Sequence, residues 1–144
     1  DELTEELTKA FMSKKIVFDN DIILPDVLHK LGGHPANTML VMQTLYFMTL
    51  DSQNNLIKRD IMEEAYERAY FEQMDLITQY ISEMKAKKNY HDVMYRMARG
   101  EDQELSSQAL YQVRSGLLDM GLLVQRGRDE YFISDSFLEE YLRR

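Results

Sequence analysis

Gly121-Leu122-Leu123-Val124-Gln125-Arg126-Gly127-Arg128-Asp129-Glu130-Tyr131-Phe132-Ile133-Ser134-Asp135 reads as a helix stop, two short strands across a polar turn, and a helix cap. Glycine at 121 tolerates the positive φ that ends a helix. Leu122–Gln125 and Glu130–Ile133 have the composition of strands, and Arg126-Gly127-Arg128-Asp129 turns the chain between them. Asp135 or Ser136 then caps a last helix with Phe137, Leu138, Tyr141 and Leu142 inward. Upstream, Ser106 or Ser107 caps a helix carrying Leu110, Val113, Leu117 and Leu118. Before it, Tyr90, Val93, Met94 and Met97 mark another, ended by Gly100.

Working back towards the N-terminus, the pattern is helical almost throughout. Lys85-Ala86-Lys87-Lys88-Asn89 is the expected module boundary, giving modules 1–88 and 89–144. From Lys58 to Lys88 an apolar stripe of Ile61, Ala65, Ala69, Leu76, Ile77, Tyr80, Ile81 and Met84 predicts a long helix with a break near Phe71–Asp75. Asp51–Asn55 is a polar loop. Leu24-Pro25 opens a short helix to about Leu31, with Val27, Leu28 and Leu31 on one face. Gly32 and Gly33 stop it, and Pro35 starts the next helix, which runs to about Leu50. Met39, Leu40, Val41, Met42, Leu45, Phe47 and Met48 make that helix apolar on most sides, which predicts a place in the core. Asp19-Asn20-Asp21 is a turn, and Leu3, Leu7, Ala10 and Phe11 recur at helical spacing in the first helix. There is no internal repeat.

Composition bounds the rest. With 144 residues, 44% hydrophobic and 29% charged, the chain suits a folded protein of one ordinary domain or two small packed modules. No run approaches the roughly 18 apolar residues of a membrane span, so no membrane partner is expected. The start, Asp1-Glu2-Leu3-Thr4-Glu5-Glu6, has no secretory signature and no initiator Met, which suggests a piece of a longer chain. With no cysteine, disulfides and thiolate chemistry are excluded, and a cytoplasmic location is expected. The net charge of −8 lies wholly in residues 1–84, with 7 Lys/Arg against 15 Asp/Glu; residues 85–144 hold 10 of each. Bulk charge therefore favours no nucleic-acid partner.

Three helices followed by a two-stranded hairpin form the winged-helix pattern. Gly33-His34-Pro35 with its apolar helix, then the module ending Tyr131-Phe132-Ile133-Ser134-Asp135-Ser136-Phe137, resembles the C-terminal half of STAND-type and archaeal-type P-loop ATPases, relatives of the AAA+ class. The resemblance covers nearly the whole chain in order of elements, on few specific residues. It implies a mainly α fold: a helical lid-like bundle, then a winged helix with a two-stranded β-hairpin wing. It also implies a regulatory region without a catalytic centre, which closes over ATP or ADP and relays nucleotide state to a partner. In such ATPases the proline of this turn packs on the adenine, a role the resemblance assigns to Pro35, with Gly33 permitting close approach. His34 either touches nucleotide or caps its own turn.

The turn has a physical rationale of its own. A proline at a helix start is rigid, apolar and without an N–H, so it offers a flat surface to an aromatic ring. The helix N-terminus favours negative charge. A plain Gly-Gly stop followed by a Pro start is the competing explanation. The chain lacks Gly-x-x-x-x-Gly-Lys-Ser/Thr and an acidic metal-binding strand, and no arginine follows Pro35 until Arg59. The isolated chain is thus expected to hold no cofactor and hydrolyse no ATP. Nucleotide, magnesium and catalysis would belong to a nucleotide-binding core, the first expected partner, with a further protein partner beyond it.

A winged helix also raises DNA binding, with a free-standing transcriptional regulator as the rival function and a protein-interaction adaptor as a third. Gln112 and Arg114 would read base edges from the helix Ser107–Met120, and Arg126 and Arg128 in the wing would meet phosphates. One positive charge on that helix, preceded by Glu101, Asp102 and Glu104, counts against this, as does the short stretch Arg99–Ser107. His29, His34 and His91 are scattered, and no metal site is expected. Glu63-Glu64, Glu101-Asp102 and Glu139-Glu140 read as solvated faces. Tyr66, Tyr70 and Phe71 are either a partner-facing patch or packing between modules.

Overall fold

Asp1 fixes the first helix. Its carboxylate accepts hydrogen bonds from the backbone N–H groups of Leu3 (2.8 Å) and Thr4 (3.4 Å), which satisfies two donors that the first turn of α1 (Glu2–Ser13) leaves unpaired. The computed structural model describes all residues, 1–144. The chain then runs through β1 (Val17–Phe18), α2 (Ile23–Lys30), α3 (Pro35–Ser52), β2 (Leu56–Ile57), α4 (Arg59–Glu72), α5 (Met74–Lys85), α6 (Tyr90–Arg99) and α7 (Ser107–Asp119). It ends with β3 (Leu123–Gly127), β4 (Glu130–Ile133) and α8 (Ser136–Arg143). No helix is long and apolar enough to cross a membrane.

The molecule divides into two compact units, Asp1–Glu72 and Gln73–Arg144. The sequence places the division at Lys88 instead. The difference is α5, which packs on α6 and α8, so Lys85–Asn89 is a connection inside the second unit. The expected break near Phe71–Asp75 is where α4 ends and α5 begins.

In the first unit, α3 lies along α4, and α2 packs on both α1 and α4. Leu31, Val41, Leu45, Ile57, Ala65 and Ala69 are fully shielded from solvent at the centre. β1 and β2 pair in parallel, Val17 opposite Leu56 and Phe18 opposite Ile57, a pairing the sequence did not suggest. Met62, Tyr66 and Tyr70 are buried on α4, whereas Leu76 on α5 of the second unit, expected in the buried stripe, is exposed.

In the second unit, β3 and β4 form the expected antiparallel hairpin, with Leu123 opposite Ile133 and a bulge between Gln125 and Gly127. Its base is locked by Ser134, which donates its backbone N–H to the Leu122 carbonyl (3.0 Å) and its hydroxyl to the Gly121 carbonyl (2.7 Å). Asp135 caps α8, accepting from the N–H groups of Phe137 (2.9 Å) and Leu138 (3.4 Å). Ser106 caps α7 through the Ala109 N–H (3.2 Å). Met94, Leu117, Phe137 and Leu138 form the centre of this core. Two arginines tie α6 to α8: Arg143 donates to the Ala98 carbonyl (2.8 Å) and Arg99 to the Arg143 carbonyl (3.1 Å).

Helices α6 and α7 approach closely at Gly116, where an added Cβ would run into the Tyr90 hydroxyl, with Tyr90 Cζ 2.5 Å away. Glycine to alanine inside a helix ordinarily stabilises by about 1 kcal/mol. Here the sign reverses. Gly116→Ala is expected to lower unfolding stability by about 1–3 kcal/mol through overpacking. In a Tyr90→Ala background the same substitution is expected to stabilise. Urea unfolding of the four variants checks both signs.

Candidate functional site

The turn between α2 and α3 is built from two consecutive left-handed residues, Gly32 (φ 61°) and Gly33 (φ 76°). A side chain at either would meet nothing within 4 Å, so backbone conformation rather than lack of space calls for glycine here. The absence of a side chain also leaves the backbone at Gly33 open to approach. Leu31, just before them, is fully buried and anchors the turn to the core.

His34 then takes an extended conformation, and its Nδ1 accepts the Asn37 N–H at 3.1 Å, while its carbonyl accepts the Thr38 N–H at 3.0 Å. Of its two expected roles, the structure shows the cap. Pro35 occupies the first turn of α3, where its missing N–H costs nothing, and it is exposed. His29 and His34 stand on opposite sides of the glycine pair. No group of three His, Cys, Asp or Glu side chains is placed to hold a metal.

From Pro35 to Leu50 no residue is charged. One face of α3, with Thr38, Val41, Met42, Leu45 and Thr49, is buried. At 100° per residue, Ala36, Met39, Leu40, Gln43, Phe47 and Leu50 fall in a single stripe about 100° wide on the opposite face. Met39 is 57% exposed, Phe47 62% and Leu50 53%. The expectation of a core helix is therefore corrected: α3 is covered on one side only. Sequence periodicity cannot reveal this, since both faces are apolar.

The basic side chain nearest to this turn in sequence, Lys30, is already engaged. Lys30 Nζ lies 4.0 Å from the Tyr66 ring centroid, and Arg59 pairs with Asp26 at 3.1 Å. Both line a groove of about 430 Å³ between α2 and α4, floored by Ile23, Val27 and Met62.

The four candidate DNA contacts are dispersed. Gln112 stands on the outward face of α7 with Gln108, Tyr111, Ser115 and Asp119, a face without a cation. Arg114 points away from that face: its guanidinium carbon is 4.7 Å from the Tyr131 ring centroid, and its Nε is buried without a hydrogen-bond partner. Arg126 covers the Phe132 ring at 5.2 Å, and Arg128 is exposed at the hairpin tip. The hairpin residues Val124 and Phe132, directly opposite one another, are 38% and 47% exposed.

Comparison with known proteins found no matching family model, no matching curated protein and no matching solved structure.

If the His34 side chain acts as the cap of α3, His34→Ala is expected to cost about 1 kcal/mol of stability. His34→Asn, which supplies an acceptor at the same position, is expected to retain most of it. Chemical denaturation of both variants checks the order.

Proposed function

We propose that this chain is the helical lid and winged-helix region of a P-loop ATPase of the STAND and archaeal type, related to the AAA+ class. In this reading Gly33-His34-Pro35 closes over the adenine of bound ATP or ADP. The observation that carries it is the exposed Pro35 that follows two left-handed glycines and opens an uncharged helix with an apolar outer stripe. A purine ring presents flat, weakly polar faces, and a proline ring with no donor suits them. Gly33 allows a base to come close, and His34, whose Nδ1 serves the cap, keeps Nε2 for the ligand. The stripe of Met39, Phe47 and Leu50 supplies a dry surface for the nucleotide-binding core. Phosphates, magnesium and hydrolysis belong to that core, since this chain carries neither a Gly-x-x-x-x-Gly-Lys-Ser/Thr loop nor an acidic metal-binding strand.

The second unit serves as the relay. Helices α6 and α7 followed by the β3–β4 hairpin have the order of a winged helix. Such a lid changes a partner's state only through contacts that differ between the open and closed forms. The partner of this module is a protein in the cytoplasm rather than DNA. Duplex binding rests on cations that neutralise phosphates, and the outward face of α7 offers none. A free-standing DNA-binding regulator is therefore the weaker reading.

The native reading frame upstream of Asp1 tests the proposal. A phosphate-binding loop and an acidic strand within roughly 200 residues, one domain's length, are the expected result. A start codon directly before Asp1 would overturn it.

A further inference from the structure

Helix α4 carries an exposed aromatic ring that the nucleotide reading does not use. Tyr66 and Tyr70 turn into the core at 3% and 2% exposure, whereas Phe71 is 60% exposed. Its ring is braced edge-to-face against Tyr70, with centroids 5.3 Å apart and an interplanar angle of 72°. Pinned to a buried neighbour, the ring loses little freedom when something settles on it.

The ring stands in a shallow groove of about 510 Å³ lined by Glu64, Glu67, Arg68, Phe71 and Glu72. At 100° per residue, Asp60, Glu63, Glu64 and Glu67 share the arc of α4 that presents Phe71. Arg68 pairs with Glu64 at 3.4 Å, and both side chains are more than half exposed, so this ion pair is weak and exchangeable. The whole unit Asp1–Glu72 holds 7 Lys/Arg against 13 Asp/Glu.

An exposed phenyl among carboxylates is complementary to a cation on an apolar stem. A guanidinium stacks on the ring face while its remaining N–H donors meet carboxylate oxygens. Phosphate backbones and anionic lipid surfaces are repelled by the same charges. We propose that Phe71 and the carboxylates of α4 form a docking groove for an arginine-bearing amphipathic segment of a partner protein. The inference is independent of the nucleotide-facing turn, which lies at the start of α3.

A titration of the ¹⁵N-labelled chain with a short peptide of alternating arginine and leucine tests this directly. Amide shifts are expected to centre on Glu63–Glu72, to weaken with added salt, and to vanish when glutamate replaces arginine in the peptide. Phe71→Ala is expected to lower affinity about fivefold. Should that variant disturb the fold, Phe71→Leu keeps an apolar contact on Tyr70 while removing the π face, and it is also expected to bind more weakly. Undiminished binding by the folded variant would overturn the proposal. So would shifts equally strong around Glu2, Glu5 and Glu6 of α1, or no shift at all.

Discussion

Helix α3 is apolar on two opposite faces, and its main partner within its own unit, α4, covers only one of them. That imbalance governs the functional reading of the first unit. Full burial of a Met, Phe or Leu side chain gains about 1.5–3 kcal/mol. Covering the half-exposed Met39, Phe47 and Leu50 therefore offers several kcal/mol before the cost of association is subtracted. In a chain with 29% charged residues, the uncharged run Pro35–Leu50 stands out, and its outer stripe is an exposed apolar surface. The left-handed pair Gly32-Gly33 and the His34 cap set where the stripe begins, with Pro35 at its head.

The second unit has a different economy. Its cations are largely engaged within the fold. Arg96 meets Asp92 (3.1 Å) and Glu104 (3.2 Å), Arg99 and Arg143 tie α6 to α8, and Arg114 stacks on Tyr131. Together with the close approach of Tyr90 to Gly116, these contacts hold helices and hairpin in one arrangement. Few of its cations are left outside such contacts to grip a phosphate backbone.

Much of this was legible in the sequence where the signal is local. Gly121 and the Asp135-Ser136 pair bracket the hairpin, Ser106-Ser107 marks a helix start, and Gly32-Gly33 followed by Pro35 separates two helices; the structure puts the caps on Ser106 and Asp135. Non-local features were not legible. β1 and β2 are two residues each and pair across a long sequence separation, so neither shows a period of its own. The side chosen by α5 depends on α6 and α8, which its own residues do not announce. The outward stripe of α3 is hidden because its two faces are equally apolar. Arg114 read as an outward base contact, yet it lies about 160° around α7 from Gln112 in relative phase shift, the gap of about 200° being measured the other way. Of the aromatic trio on α4, helical phase sends Tyr66 and Tyr70 inward and Phe71 out.

The decisive measurement is photoaffinity labelling of the complete protein with 2-azido-ADP, followed by mapping of the modified peptide. An adenine held under the lid places the label on the segment Gly32–Ala36. Label confined to other segments, with Gly32–Ala36 unmodified, would contradict the assignment of this turn to the nucleotide.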